Sequence, residues 1–249
     1  MKKLSFYSFI IFFVTLSGCA SGQKIKLPGN LPQFPTTVGG ATGINKPLTE
    51  TEVANGLKEA LIQGTTKGTA QASQQNGYYG NSLIRIPFPA EIQKVETTLR
   101  KIGMGSEVDK FVLSLNRAAE DAAISAKPIF ISAIKSLTLR DVWNILSGEK
   151  DAATQYLKRT TSAQLTASFK PIIQKSLDKV NATKYYGTII TSYNKIPLVQ
   201  KVNPDLNAYA TDKAIQGLFT LVAQEEANIR ENPIARTTEL LKRVFGRNG

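Results

Sequence analysis

Glu120, Asp121 and Asp151 are the carboxylates this chain sets where chemistry could use them, and the residues missing around them limit what that chemistry could be. The 249 residues contain no His, which excludes a Ser-His-Asp triad, a Cys-His dyad, an HExxH zinc site and any imidazole proton shuttle. A lone Cys can form neither an intramolecular disulfide nor a cysteine-based zinc cluster. Carboxylate pairs, Ser-Lys or Tyr chemistry, and a hard cation held by oxygens remain. No cofactor motif or metal-ligand spacing is present, so neither a cofactor nor a metal is expected.

The most concentrated polar chemistry lies in one expected helix. Asn116, Glu120 and Ala123 follow one line of it, Arg117 and Asp121 another, and alanines at 118, 119, 122, 123 and 126 leave room for close helix approach. Arg117 can reach Glu120 at i+3 or Asp121 at i+4. One reading is a polar site with Glu120 or Asp121 as acid, base or ligand; the other is a packed core helix whose polar flanks pair with neighbours. Asp151 and Tyr156 pose the same choice, since Asp151 opens a helix where a carboxylate stabilises free N–H groups. Tyr185 and Tyr186 either gate a pocket or divide between core and surface.

The cysteine belongs to a different chemistry. Lys2 and Lys3 precede an apolar stretch, Phe6 to Leu16, that is too short to span a bilayer and reads as an export signal. It ends in Leu16-Ser17-Gly18-Cys19, which resembles the bacterial lipobox. The resemblance implies cleavage after Gly18, diacylglyceryl attachment to the Cys19 sulfur and acylation of the new amine. Two or more acyl chains make a lasting anchor where one gives only marginal binding. Ala20 rather than Asp follows the Cys, which in a Gram-negative host implies an outer-membrane lipoprotein facing the periplasm.

Residues 1–18 are thus a signal peptide and 19–48 an anchor with a tether. From Ala20 to Leu48 the chain holds four Pro and five Gly and no acidic residue, with no helical or strand period. A flexible segment of this length reaches about 30 Å. Leu27, Leu31, Phe34 and Val38 leave open that it packs as an arm instead.

Residues 49–249 read as helices. Thr49 and Glu52 form a capping box ahead of Val53, Leu57, Ala60 and Leu61, and this helix runs to about Ala72. Asn76 to Pro89 is a break anchored by Tyr78, Tyr79 and Phe88. Helices follow at Ala90 to Ile102, from a Ser106 cap onward, Pro128 to Leu137, Leu139 to Leu146, Asp151 to Val180 with a break near Pro171, Ala182 to Tyr193, Leu206 to Arg230, and Thr238 to Phe245. No stretch alternates with period two. The expectation is an all-α fold, a single globular domain of about eight to ten helices. Two echoes, Lys127-Pro128-Ile129-Phe130 with Lys170-Pro171-Ile172-Ile173, and Arg159-Thr160-Thr161 with Arg236-Thr237-Thr238 read as a pair of helix caps, are too few for a regular repeat solenoid.

Six segments resemble the bacterial family of domain of unknown function 4197. They are Arg85 to Pro89, Asn116 to Glu120, Ala126 to Phe130, Asp151 to Tyr156, the Tyr185-Tyr186 pair, and Arg236 to Gly246. The resemblance covers about Leu48 to Gly246. It implies an exported helical domain and carries no established activity or catalytic residue.

A formal charge of +12, of which Lys2 and Lys3 contribute two, suits an anionic partner. An exported, membrane-anchored chain without a zinc knuckle or an RNP-like aromatic run points away from nucleic acid and toward anionic lipid or another envelope polymer. Three functions are therefore expected candidates: a lipid-anchored envelope protein with a non-enzymatic binding or scaffolding domain; a carrier or sensor of an apolar ligand in a pocket lined by Phe111, Phe130, Tyr185 and Phe219; and a hydrolase using Glu120, Asp121 or Asp151.

Overall fold

The computed structural model describes residues 48–246 apart from 196, 199, 200, 204, 233, 234 and 237; Cys19, the signal and most of the tether lie outside them. Helix α1, Glu50–Ser73, starts where the sequence places its cap: the Thr49 hydroxyl accepts from the Glu52 N–H at 3.2 Å and the Glu52 carboxylate accepts from the Thr49 N–H at 2.8 Å. After an irregular segment, a 3₁₀ turn at Ala90–Ile92 leads into α2, Gln93–Lys101, so the single helix expected over Ala90 to Ile102 is two pieces. Helices α3 (Gly105–Ala123), α4 (Ala126–Lys135), α5 (Leu139–Leu146), α6 (Ala152–Asp178), α7 (Ala182–Tyr193), α8 (Leu206–Glu231) and α9 (Glu239–Phe245) complete the order. Among the described residues there are nine α-helices and no strand, as the sequence pattern requires.

Local side-chain caps account for four of the nine helix starts, α1 among them. Thr138 and Asp141 form a second capping box on α5, Asp205 accepts from the Ala208 N–H at 2.9 Å to open α8, and Thr238 caps α9 through the Leu241 N–H at 3.2 Å. The Thr138 hydroxyl, with its backbone N–H, holds the Asp141 carboxyl below its usual range. The Ser106 cap is not made: α3 begins at Gly105 after Met104 with no side-chain cap, and Asp109 pairs with Arg100 of α2 at 2.8 Å instead.

Helices α6 and α8 pack along each other at the centre, with α1 and α3 against them and α4 filling the angle between α1 and α6. The buried line of α6 runs Ala153, Leu157, Thr161, Leu165, Phe169, Ile173, Leu177, a strict spacing of four. Such a line advances about 40° per step, so it winds around the helix and serves several neighbours in turn. Pro171 does not break α6. It sits on the exposed side between fully buried Phe169 and Ile173, and Asn207 of α8 donates to the Lys170 carbonyl at 3.2 Å and to Gln174 Oε1 at 2.8 Å. Tertiary contacts thus hold the turn that the missing N–H would loosen.

Neither sequence echo is structural. Pro128 occupies the first turn of α4 whereas Pro171 lies deep in α6. Thr238 caps a helix, while Thr160 sits mid-helix with its hydroxyl donating to the Tyr156 carbonyl at 2.9 Å, so the expectation of a cap there is corrected.

Candidate functional site

The α3 polar residues point into the segment between α1 and the 3₁₀ turn. Asn116, 0% exposed, accepts from the Ile86 N–H and donates to the Ile86 carbonyl, both at 2.8 Å, pairing with that residue as a neighbouring strand would. Glu120, 5% exposed, accepts from two consecutive backbone N–H groups, Tyr78 at 3.1 Å and Tyr79 at 3.2 Å, on one carboxylate oxygen, and from Arg117 at 2.5 Å on the other. The second Arg117 nitrogen donates to Asn76 Oδ1 at 2.8 Å. A charge this buried is tolerable because its lone pairs are used and its counter-ion is one helical turn away. Of the two partners open to Arg117, the structure selects Glu120; Asp121 is exposed and accepts from the Ser176 hydroxyl of α6 at 2.7 Å.

The clamped segment has its own anchors. The Tyr78 ring enters the core, donates its hydroxyl to the Ala214 carbonyl at 2.6 Å, and rests on Gly217 of α8, where a Cβ would fall 2.8 Å from the ring. Burial, then the Glu120 charge, pushes the Tyr78 phenol far above its usual range, so it stays a donor throughout. Asn76 lies at φ 67, and a Cβ on Gly77 would stand 2.3 Å from the Gln71 carbonyl, so the turn doubling back over the end of α1 requires glycine there. Arg85 lies over the Tyr79 ring, 4.3 Å from its centre.

On the outer side of this turn is an open, strongly polar cleft of about 380 Å³. Its walls are Gln71, Gln74, Gln75, Asn76, Asn81 and Ser82, with the backbone of Gly77 and Gly80. Every lining side chain is uncharged. Asn76 and Asn81 each use their oxygen within the turn, toward Arg117 and toward the Leu83 N–H at 3.1 Å. No hydrogen bond ties the side chains of Gln71, Gln74 and Gln75 to other described residues, so they face outward with both donors and acceptors open. Sequence reasoning missed this cleft, although the run Gln71 to Asn76 was its signal.

Asp151 and Tyr156 meet in a second cleft, of about 350 Å³, between α5 and the start of α6, with Asp141, Asn144, Glu149 and Arg159. Tyr156 is mostly buried and Arg159 lies 5.5 Å from its ring centre. Asp151 is not the helix cap it was expected to be: its carboxylate accepts from Gln155 at 2.7 Å. The cap comes from α8. Glu226 accepts from the Ala153 N–H at 3.1 Å, and from the Thr154 N–H and hydroxyl at 2.8 Å each, while Arg230 donates to it through two nitrogens at 3.0 and 2.9 Å and also reaches the Ile145 carbonyl at 2.9 Å. This second buried Glu-Arg pair reads in sequence as one more surface i,i+4 pair, because its partners lie on α5 and α6.

The remaining expected residues separate. Tyr186, 3% exposed, stacks on Phe111 at 6.1 Å, and Tyr185, 63% exposed, faces outward. Phe130 and Phe219 meet edge-on at 5.8 Å in the core, so Phe111, Phe130, Tyr185 and Phe219 do not form one wall, which corrects the expected pocket. The three carboxylates do not converge either. Asp121 is level with Ser176 and Asp151 precedes the first turn of α6, about 37 Å away along that helix. Arg236 closes the end of α8, donating to the Ile229 carbonyl at 3.2 Å and the Arg230 carbonyl at 2.9 Å. Among the described residues there is no group of three or more potential metal ligands, and no helix is long and apolar enough to cross a membrane.

No curated protein and no solved structure matches the chain significantly. A family model described as protein of unknown function (DUF4197) matches residues 47–246, which takes in all nine helices, the α3 clamp and both clefts. Matched over most of its length, the chain belongs to the DUF4197 family.

Proposed function

We propose that this is an exported, lipid-anchored envelope protein, held at the membrane by acylated Cys19, whose helical domain binds a partner through the amide-lined cleft at the end of α1. The observation that carries the reading is the direction of the α3 polar groups. Asn116 and Glu120 are buried, and apart from the Arg117 pair and one bond to the Val112 carbonyl their hydrogen bonds go to the backbone of residues 78, 79 and 86. A packed apolar helix would have been a simpler core; this one fixes an irregular turn, and preorganised loops on rigid scaffolds are where binding surfaces are built. The turn presents neutral amides, which suits a protein or polymer partner offering uncharged donors and acceptors. The lipobox-like Leu16 to Cys19 supports the address.

The test uses acylated protein extracted from envelopes in mild detergent and sized on a column. Wild type is expected in an assembly larger than the monomer. The triple variant Gln71→Ala, Gln74→Ala, Gln75→Ala is expected as a monomer with its melting temperature nearly unchanged, since exposed substitutions typically stay within about 0.5 kcal/mol each. Cys19→Ala is expected to leave the processed, membrane-bound fraction. An unaltered assembly in the triple variant rejects the cleft; wild type exported soluble with an unmodified N-terminus rejects the anchor.

A further inference from the structure

Large apolar side chains exposed among the described residues include Leu83, Ile102, Met104 and Ile124, and two further groups lie next in the chain to the two ends of α6. One is on α5, where Leu139 and Trp143 sit a helical turn apart, Trp143 being 46% exposed. The other surrounds α7, where Val180, Tyr185 and Ile189 are exposed along the flank of a helix whose Ala182, Tyr186 and Ile190 are buried. Leu198, in the loop after α7, is fully exposed at φ 66, a conformation a branched side chain rarely adopts. The base of that loop is closed by Asn194, which donates to the Val202 carbonyl at 2.7 Å and accepts from its N–H at 2.9 Å. Helix α6, about 40 Å long, runs between α5 and α7 in the chain.

Charge tells them apart. The α5 patch is close to balance: Asp141, Glu149 and Asp151 lie in the adjoining cleft with Arg159, and Arg140 and Lys150 are their neighbours in the chain. Around α7, residues 175–205 carry Lys175, Lys179, Lys184, Lys195 and Lys201 against Asp178 and Asp205, with Asp121 of α3 accepting from Ser176 beside them. All five lysines are exposed, and none makes a salt bridge to a described residue. Lysines free of carboxylate partners around an exposed tyrosine and aliphatic side chains match the lipid–water interface: aliphatic groups enter the headgroup layer, the tyrosine sits at its level, and the ammonium groups meet anionic headgroups. A protein partner reading the same patch would need acidic groups arranged against five spread lysines, whereas a lipid surface supplies mobile anions wherever they lie.

We propose that the α7 face is a membrane-docking surface that lays the domain on anionic lipid, with Val180, Tyr185, Ile189 and Leu198 entering the headgroup region. This rests on the reading that the protein is held at a membrane, yet it adds a separate contact: an anchored domain could equally stand away from the lipid.

The test places a tryptophan at each patch of the full chain reconstituted in vesicles. Trp143 is the chain's only tryptophan, so wild type reports on α5 and the double variant Trp143→Phe, Tyr185→Trp reports on α7. In phosphatidylcholine vesicles containing phosphatidylglycerol and brominated acyl chains, the tryptophan at 185 is expected to shift its emission to the blue and to be quenched, the effect falling at high salt and in phosphatidylcholine alone. Trp143 is expected to show neither change. Adding Lys179→Gln and Lys184→Gln is expected to lower the docking equilibrium roughly thirtyfold while leaving flotation with vesicles intact, because the anchor is elsewhere. Quenching of Trp143 rather than of position 185, quenching indifferent to lipid charge, or none at either position overturns the proposal. Loss of flotation in wild type would count against the anchor itself.

Discussion

Replacing Glu226 with Ala is expected to destabilise the domain more than any other single polar change, by about 3 to 5 kcal/mol. The carboxylate is nearly inaccessible and accepts from two α6 N–H groups, the Thr154 hydroxyl and both Arg230 donors. Its removal leaves the opening turn of a 27-residue helix uncapped inside the protein and an arginine, itself mostly buried, without its counter-ion. For a domain of this size the loss corresponds to a fall in melting temperature of about 10 °C. Thermal unfolding followed by circular dichroism checks it. Adding Arg230→Met is expected to recover part of the loss, because the stranded charge goes with it. A Glu226→Ala protein melting within a degree or two of wild type would show that α6 does not depend on this cap.

Glu120→Gln is expected to cost about 1.5 to 3 kcal/mol, less than Glu226→Ala for two reasons. The amide keeps one oxygen for the Tyr78 and Tyr79 N–H groups, and Arg117 is a third exposed, so water recovers part of its lost partner. Arg117→Met alone is expected to cost less again, and in a double-mutant cycle the two changes should couple positively because they remove one shared interaction. Additive effects would mean that the pair is not one unit. A Glu120→Gln variant that melts higher than wild type would reverse the assignment and mark the carboxylate as kept for a ligand at the expense of stability.

How far the sequence predicts this arrangement depends on how local each cause is. The Thr49, Thr138 and Thr238 caps were legible because donor and acceptor lie three residues apart. The bounds of α7 and the division of Tyr185 from Tyr186 followed from helical periodicity in the same way. The Arg117–Glu120 pair was visible as one of two spacings, but its targets at 76, 78 and 79 were not, since nothing in α3 reveals which loop returns to it. Asp151 had every local mark of a cap, and a glutamate 72 residues or more away took the role because α8 brings a carboxylate already paired with Arg230 onto that turn. Pro171 was misread for the converse reason: its local penalty is real, and buried contacts on both sides of it outweigh that penalty. The amide cleft depends on a turn folded back on the end of α1, so its chemistry was on view in Gln71 to Asn76 while its concavity was not.

The central claim is that α3 holds the turn as rigidly as the core holds itself, so that the cleft is preformed. Amide hydrogen exchange at Tyr78, Tyr79 and Ile86, followed residue by residue, tests this most directly, because these are the N–H groups bound by Glu120 and Asn116. The account predicts exchange as slow as that of the buried α6 and α8 amides in wild type, released by global unfolding alone, and much faster exchange at Tyr78 and Tyr79 in Glu120→Ala, which removes the acceptor of both N–H groups. Rapid exchange at these three positions in wild type, at the rate of an exposed loop, would contradict it.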